Sequence, residues 1–219
     1  MLHKTKGVVL NFIRYRETSI ISKIYTEQFG LRTYIINGVR SKKPGSRIAF
    51  FQPLTLLDLV VYHNEKREIN RISEIRCSKP YSGIPFDPIK TSIAIFLNEI
   101  LARTLKEEVP NQELFDFISL SFSWFDDAES SFSNFHLQFL LKYAGLLGYY
   151  PAASEDIYHG LNQDETQLLE ALIQQRYDSQ IILNAGMRRR LLDVILRFYA
   201  AHIDNFGEMR SLKILQEIM

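Results

Sequence analysis

The chain has 219 residues, 46% of them hydrophobic, with 26 Lys+Arg against 25 Asp+Glu and a formal charge of +1. That much apolar content excludes a disordered polymer and suffices for one large domain or two small ones. The single cysteine, Cys77, excludes an intramolecular disulfide and any cysteine-rich zinc site, and reads as a small strand residue. The near-neutral total hides an asymmetry. Residues 1–80 carry 15 Lys+Arg and 6 acids, a charge of +9, and residues 81–219 carry 11 cations and 19 acids, a charge of −8. Two modules are therefore expected, the first facing a negatively charged partner. The opening residues Met1-Leu2-His3-Lys4-Thr5-Lys6 lack the apolar run of a signal peptide, and no stretch is apolar enough to span a bilayer. A soluble intracellular protein is expected, with no membrane partner.

Taken in order, residues 5–14, 19–26, 31–38, 54–62 and 67–76 are short β-rich runs separated by turn residues. Five strands in fewer than eighty residues predict a small barrel, and the OB-fold is the commonest five-stranded one. Treating Glu27-Gln28-Phe29-Gly30 as a four-residue hairpin loop, with Gly30 at positive φ, pairs the second and third runs so that Tyr25 faces Arg32 and Lys23 faces Tyr34. Alternation then puts Lys23, Tyr25, Arg32 and Tyr34 on one face, as a cation-aromatic platform on which bases stack. The plainer reading is that they are ordinary cross-strand pairs.

Between the third and fourth runs lies Val39-Arg40-Ser41-Lys42-Lys43-Pro44-Gly45-Ser46-Arg47. Four cations fall within eight positions without an acid, and Pro44-Gly45 marks a turn. A basic loop leaving a sheet suits a polyanion. Arg14, Arg16, Lys23, Tyr25, Arg32, Tyr34, Arg40, Lys42, Lys43 and Arg47 are the residues expected to contact a nucleic acid.

Pro80-Tyr81-Ser82-Gly83-Ile84-Pro85-Phe86-Asp87-Pro88 ends the β-rich part and marks a boundary between a barrel domain over residues 1–80 and a helical domain over residues 81–219. Beyond it the apolar period changes to between three and four. Helices are expected over residues 89–107, 113–125, 133–147, 164–177, 185–203 and 211–218, forming an all-α bundle with Asn184 as an N-cap. The Phe135, Phe139, Tyr143 stripe reads as core.

Catalytic templates are missing. The sequence has no phosphate-binding Gly-x-x-x-x-Gly-Lys-Ser/Thr loop, no Gly-x-Ser-x-Gly elbow, no His-Glu-x-x-His and no Gly-x-Gly-x-x-Gly. The five histidines are scattered without metal-ligand spacing. A non-enzymatic protein with no cofactor and no metal is expected. Arg188-Arg189-Arg190 stands out, because cations in the opening turns of a helix oppose its dipole. Asp193 offers an i,i+4 or i,i+3 partner, and the triplet is either a salt-bridged face or a contact for an anion or acidic peptide.

Several pieces, in their order and spacing, resemble the bacterial DNA repair and recombination mediator family RecO. They are Arg14-Tyr15-Arg16-Glu17-Thr18-Ser19, Tyr25-Thr26-Glu27-Gln28-Phe29-Gly30, Asn37-Gly38-Val39-Arg40-Ser41-Lys42-Lys43, Phe51-Gln52-Pro53-Leu54, Leu97-Asn98-Glu99-Ile100-Leu101 and Leu146-Leu147-Gly148-Tyr149-Tyr150-Pro151. The resemblance implies an OB-fold on a helical domain, binding of single- and double-stranded DNA, and annealing of complementary strands. It also implies cooperation with RecR in loading recombinase onto DNA coated by single-strand binding protein, whose acidic, Phe-ended tail docks on the helical domain. A bacterial cytoplasmic, nucleoid-associated protein follows. Many members carry a four-cysteine zinc element after the Leu-Gly-Tyr region, whereas Ala152 to Asn162 here is short and free of cysteine, so zinc is not expected. The alternative is an RNA-binding or protein-interaction adaptor whose helical domain docks an acidic peptide.

Overall fold

The computed structural model describes residues 1–40, 47–106 and 108–218. Five strands close into a barrel in the order β1-β2-β3-β5-β4, with β1 Leu2–Tyr15, β2 Ser19–Thr26, β3 Gly30–Ile36, β4 Leu56–Tyr62 and β5 Ile69–Lys79. Seven helices follow among the described residues: α1 Pro88–Thr104, α2 Gln112–Asp127, α3 Phe135–Leu146, α4 Glu155–Tyr158, α5 Gln163–Gln174, α6 Ala185–His202 and α7 Leu212–Ile218. The expected OB-fold barrel followed by an all-α part is what the chain forms. Two compact units divide it, Met1–Ser82 with Asn98–Ser123, and Gly83–Leu97 with Trp124–Met219.

The barrel closes because β1 is long enough to serve two neighbours. Its first half pairs with β4 from Leu2↔Tyr62 to Val8↔Leu56, and its second half pairs with β2 from Gly7↔Thr26 to Tyr15↔Ser19. A bulge between Val9 and Asn11 lets the strand bend from one partner to the other. Asn98 Nδ2 donates to the carbonyl of the bulged Leu10 at 3.0 Å, satisfying a group that the ladder leaves out. Gly7 sits where a β-carbon would lie 2.6 Å from Ile24 Cγ2, so a side chain there has no room. Val9, Ile20, Ile24, Tyr34, Ile36, Leu57, Leu59 and Val61 fill the interior, and Val39 and Phe51 join them from the connection between β3 and β4. A short 3-10 turn, Arg47–Phe51, carries Phe51 into this core.

The second unit is built around α3, of which Phe135 to Leu141, Tyr143 and Ala144 are buried; a helix apolar nearly all round belongs in an interior. Tyr199 from α6 donates to the Leu140 carbonyl at 2.8 Å, and Gln138 Nε2 donates to the Arg176 carbonyl at 3.0 Å. The expected Phe135, Phe139, Tyr143 core stripe is therefore found. Asn184 caps α6, its side chain accepting from the Met187 N–H, and a capping box between Asn162 and Glu165 starts α5. The short α4 within Ala152 to Asn162 went unforeseen, since four residues carry no readable period.

Candidate nucleic-acid interface

The hairpin between β2 and β3 overturns the expected platform. Thr26 pairs with Gly30, Tyr25 with Leu31, Ile24 with Arg32, Lys23 with Thr33 and Ser22 with Tyr34, one residue away from the expected register. The loop holds three residues, not four. Gly30, at φ +64°, already belongs to the strand, Thr26 Oγ1 donates to its carbonyl at 2.8 Å, and the Phe29 N–H donates to Thr26 Oγ1 at 3.2 Å. A one-residue slip moves a strand's alternate side chains to the other face. Lys23 and Tyr25 thus lie on the opposite face from Arg32 and Tyr34.

Neither ring is presented for stacking. Tyr34 is 0% exposed inside the barrel, where burial pushes its hydroxyl up to about 12, and Tyr25 is 1% exposed with Phe115 of α2 at 6.2 Å. Arg32 pairs with the Glu108 carboxylate and donates through Nη2 to the Glu108 carbonyl at 2.8 Å. These three residues leave the set expected to bind DNA.

A different surface takes their place. Alternation from the observed register gives the outer face of β1, β2 and β3 three rows: Asn11, Lys23 and Thr33; Ile13, Ile21 and Ile35; and Tyr15 with Ser19, which reaches Asn37 just past the end of β3. The parallel pairing of β3 with β5 extends the first row to Ile69 and the second to Arg71. These rows contain no acid. Ile13 is 63% exposed, and Lys23 and Arg71 are exposed. Ser19 Oγ donates to Asn37 Oδ1 at 2.9 Å, bracing one end.

That end is rimmed by cations. Arg14 alternates toward the interior, yet at the close of its strand it is exposed. Arg16 sits in the turn between β1 and β2 at φ +49°, with its guanidinium 5.2 Å from the Tyr15 ring centroid. The Arg40 N–H donates to the Thr18 carbonyl at 3.1 Å, and its Nη1 donates to the Arg16 carbonyl at 3.2 Å. The start of the basic connection is thereby tied to the β1-β2 turn. Its far end is anchored by Phe51, leaving Arg47 exposed. Lys42 and Lys43, expected to bind DNA, lie outside the described residues.

The remaining cations of the first eighty residues do not join this rim as a group. On the outer face of β1, β4 and β5 the register aligns Lys6 with Asp58 and Arg76, and Lys4 with Val60 and Glu74, so charges of both signs interleave along a groove of about 560 Å³. Lys79 Nζ donates to the Ser123 carbonyl at 3.2 Å. Among the described residues, the cations of the first eighty positions are therefore not gathered on one face. Arg71 and the isoleucine rows were missed in the sequence because the slipped register assigned them no common face.

One expectation about other residues also changes, and another is met. His3 and His63 are not scattered: their ring centroids are 6.1 Å apart, and Phe29 stacks on His63 at 3.9 Å. Burial first, then Arg32 and His3, lowers the His63 pKa. Cys77 lies in β5, where burial pushes its thiol up, away from nucleophilic chemistry.

In the helical unit the three consecutive arginines part company. Arg188 Nη1 donates to the Leu183 carbonyl at 2.6 Å and Arg189 Nη2 to the Gln216 carbonyl at 2.8 Å. Arg190 meets Glu165 at 3.4 Å and donates to the Gly160 carbonyl at 2.6 Å, a pairing on α5 in place of the expected Asp193. Of the three, Arg190 lines a groove of about 640 Å³ beside α6 and α7. Leu196, Ala200, Phe206, Met209 and Leu212 give it apolar walls, and Arg190, Arg197 and Lys213 outnumber Asp193 and Glu208 around it.

Comparison with known proteins agrees with this architecture. The model of the Recombination protein O N terminal family matches residues 1–81, and that of the Recombination protein O C terminal family matches residues 85–180. A protein described as DNA repair protein RecO from Flavobacterium johnsoniae is 35% identical, with 98% of each chain covered. Another so described, from Bacteroides fragilis, is 33% identical over 100% of this chain and 99% of its own. A barrel with a basic rim and an acid-free outer face, joined to a helical part and matched along its length by these relatives, places the chain in the RecO family.

Proposed function

We propose that this chain is a DNA-binding recombination mediator, with residues 1–80 holding DNA and residues 81–219 receiving a protein partner. RecO family membership supports a role in DNA repair. The observation that carries the DNA-binding reading is the acid-free outer face of β1, β2 and β3, with Lys23 and Arg71 on it and Arg14, Arg16 and Arg40 at one end. The face of strands 2 and 3 is also where OB-folds hold oligonucleotides. Annealing by such a surface needs no bond-making: cations offset the repulsion between two phosphate chains, and base pairing supplies the free energy. The reading is therefore not that of an enzyme.

The groove beside α6 and α7 supports the partner half of the proposal. An apolar trough with Arg197 and Lys213 among its lining, beside Asp193, Glu208 and the Glu165-paired Arg190, could take a peptide that ends in an aromatic residue and carries acids for those two cations, the chemistry of the single-strand binding protein tail. RecR would then complete recombinase loading on DNA coated by that protein. The test is annealing of complementary oligonucleotides coated with single-strand binding protein, comparing the unaltered chain with an Arg40→Ala, Lys42→Ala, Lys43→Ala variant. Acceleration by the former and at least ten-fold less by the latter is expected. Equal rates with and without protein would overturn the proposal, and preference for RNA in a competition would favour the adaptor reading.

A further inference from the structure

Most single-strand-binding barrels combine cations with rings on which bases stack. Here most of the rings that the sequence offers are turned away, and the two that are not stand at the margins of the face, Tyr15 at one end and the exposed Tyr62 beyond Arg71. Tyr25 and Tyr34 are buried, Phe12 packs against the barrel core, and Tyr15 lies half-buried beneath the Arg16 guanidinium. The open part of the face consists instead of Ile13, Ile21 and Ile35 in one row, with Lys23 in the row beside it and Arg71 at its end. Neighbouring strands lie about 4.8 Å apart, so this aliphatic row forms a strip only a few side chains wide. An aliphatic strip offers no ring for π-stacking, and it suits the C–H edges of a deoxyribose. Cations beside it suit the phosphates that flank each sugar.

Resting on the DNA-binding reading above, we propose that this face holds a single strand by its sugar-phosphate chain, with the bases turned outward and open to pairing. Ile13, Ile21 and Ile35 pack on sugar edges, and Lys23, Arg71 and the rim arginines meet phosphates. A strand held this way presents its Watson–Crick edges without first leaving the protein. Its complement can pair with it in place. Tyr15, and the exposed Tyr62 next to Arg71 in the β4–β5 register, are the rings at the margins of the face that could act otherwise.

The test compares a fluorescein-labelled oligonucleotide with one of equal length whose central nucleotides are abasic, measuring affinity by anisotropy with the full chain at fixed salt. Loss of the central bases is expected to change affinity by less than three-fold, whereas stacking loses about five-fold or more for each base removed. Tyr15→Leu and Tyr62→Leu are each expected to stay within three-fold, and Ile21→Asp to weaken both oligonucleotides alike. Ten-fold weaker binding of the abasic strand, or a ten-fold loss confined to a tyrosine variant, would overturn the inference while leaving DNA binding intact. Failure to bind either oligonucleotide would instead remove the reading on which it rests.

Discussion

Asp126, near the end of α2, is the residue whose removal has the most readable consequence for the helical unit. Its Oδ1 accepts from the Gly83 and Ile84 N–H groups, both at 2.8 Å, and the buried Lys90 ammonium donates to its carbonyl at 2.8 Å. Gly83 is required there, because a β-carbon would lie 2.2 Å from the Asp126 carbonyl oxygen. Hydrogen bonds to a charged group contribute about 1.5–3 kcal/mol each, and deleting the acceptor also leaves two N–H groups without it. Asp126→Ala is expected to cost about 3–5 kcal/mol, and Asp126→Asn, which keeps one oxygen, about 1–2 kcal/mol. Trp124 is the only tryptophan and packs on Phe135 and Tyr177, so its emission during urea unfolding reports this unit. With a urea slope of about 2 kcal/mol/M, the alanine variant should unfold about 1.5–2.5 M earlier. A shift corresponding to less than ~1 kcal/mol would refute the claim that this carboxylate holds the segment before α1.

Three further outcomes follow from other sites. Gly7→Ala places a methyl 2.6 Å from Ile24 Cγ2 and 3.1 Å from Leu59 Cδ1, and should cost about 1–3 kcal/mol in thermal or urea unfolding. His136 is fully buried, and desolvation, then the charge of Arg188, lowers its pKa to about 3. The unfolded chain takes up this proton below about pH 6.5 while the folded chain does not, so stability should fall by up to about 1.4 kcal/mol per pH unit between there and pH 3. His136→Leu should flatten that part of the urea-midpoint profile, and an unchanged slope would contradict the assignment. Finally, Arg197→Glu with Lys213→Glu should weaken binding of an acidic, Phe-ended peptide by at least ten-fold in isothermal titration, with DNA affinity unchanged within two-fold.

How much of this was legible depended on the range of the interaction that decides each feature. Ser19–Thr26 is bounded by turn residues and rich in β-branched side chains, and its limits follow from local composition alone. Asn184 as a cap is equally local, since its oxygen meets an N–H three residues on. The hairpin register was not legible, because Thr26 Oγ1 closes the loop at Gly30 and no composition rule distinguishes a three-residue from a four-residue loop at Thr-Glu-Gln-Phe-Gly. That one-residue difference removes Tyr25, Arg32 and Tyr34 from the candidate site and assembles Ile13, Ile21 and Ile35. Arg71 reaches the same face through a parallel pairing with β3, a contact made across more than thirty residues of chain. Likewise Arg190 finds Glu165 on α5, a partner no helical spacing could indicate.

If phosphates meet the cations of one barrel face and its rim, binding must weaken with salt in proportion to the number of those contacts. Anisotropy titrations of a single strand at 50–400 mM NaCl should give log K falling linearly with log salt, and each phosphate contact removed should flatten that slope by roughly 0.7. A Lys23→Ala, Arg71→Ala, Arg16→Ala variant is expected to lose about two units of slope. A Lys4→Ala, Lys6→Ala, Arg76→Ala variant, altered on the mixed-charge face, should keep the slope of the unaltered chain. The reverse pattern, or no change in either, would contradict the assignment of DNA to this face.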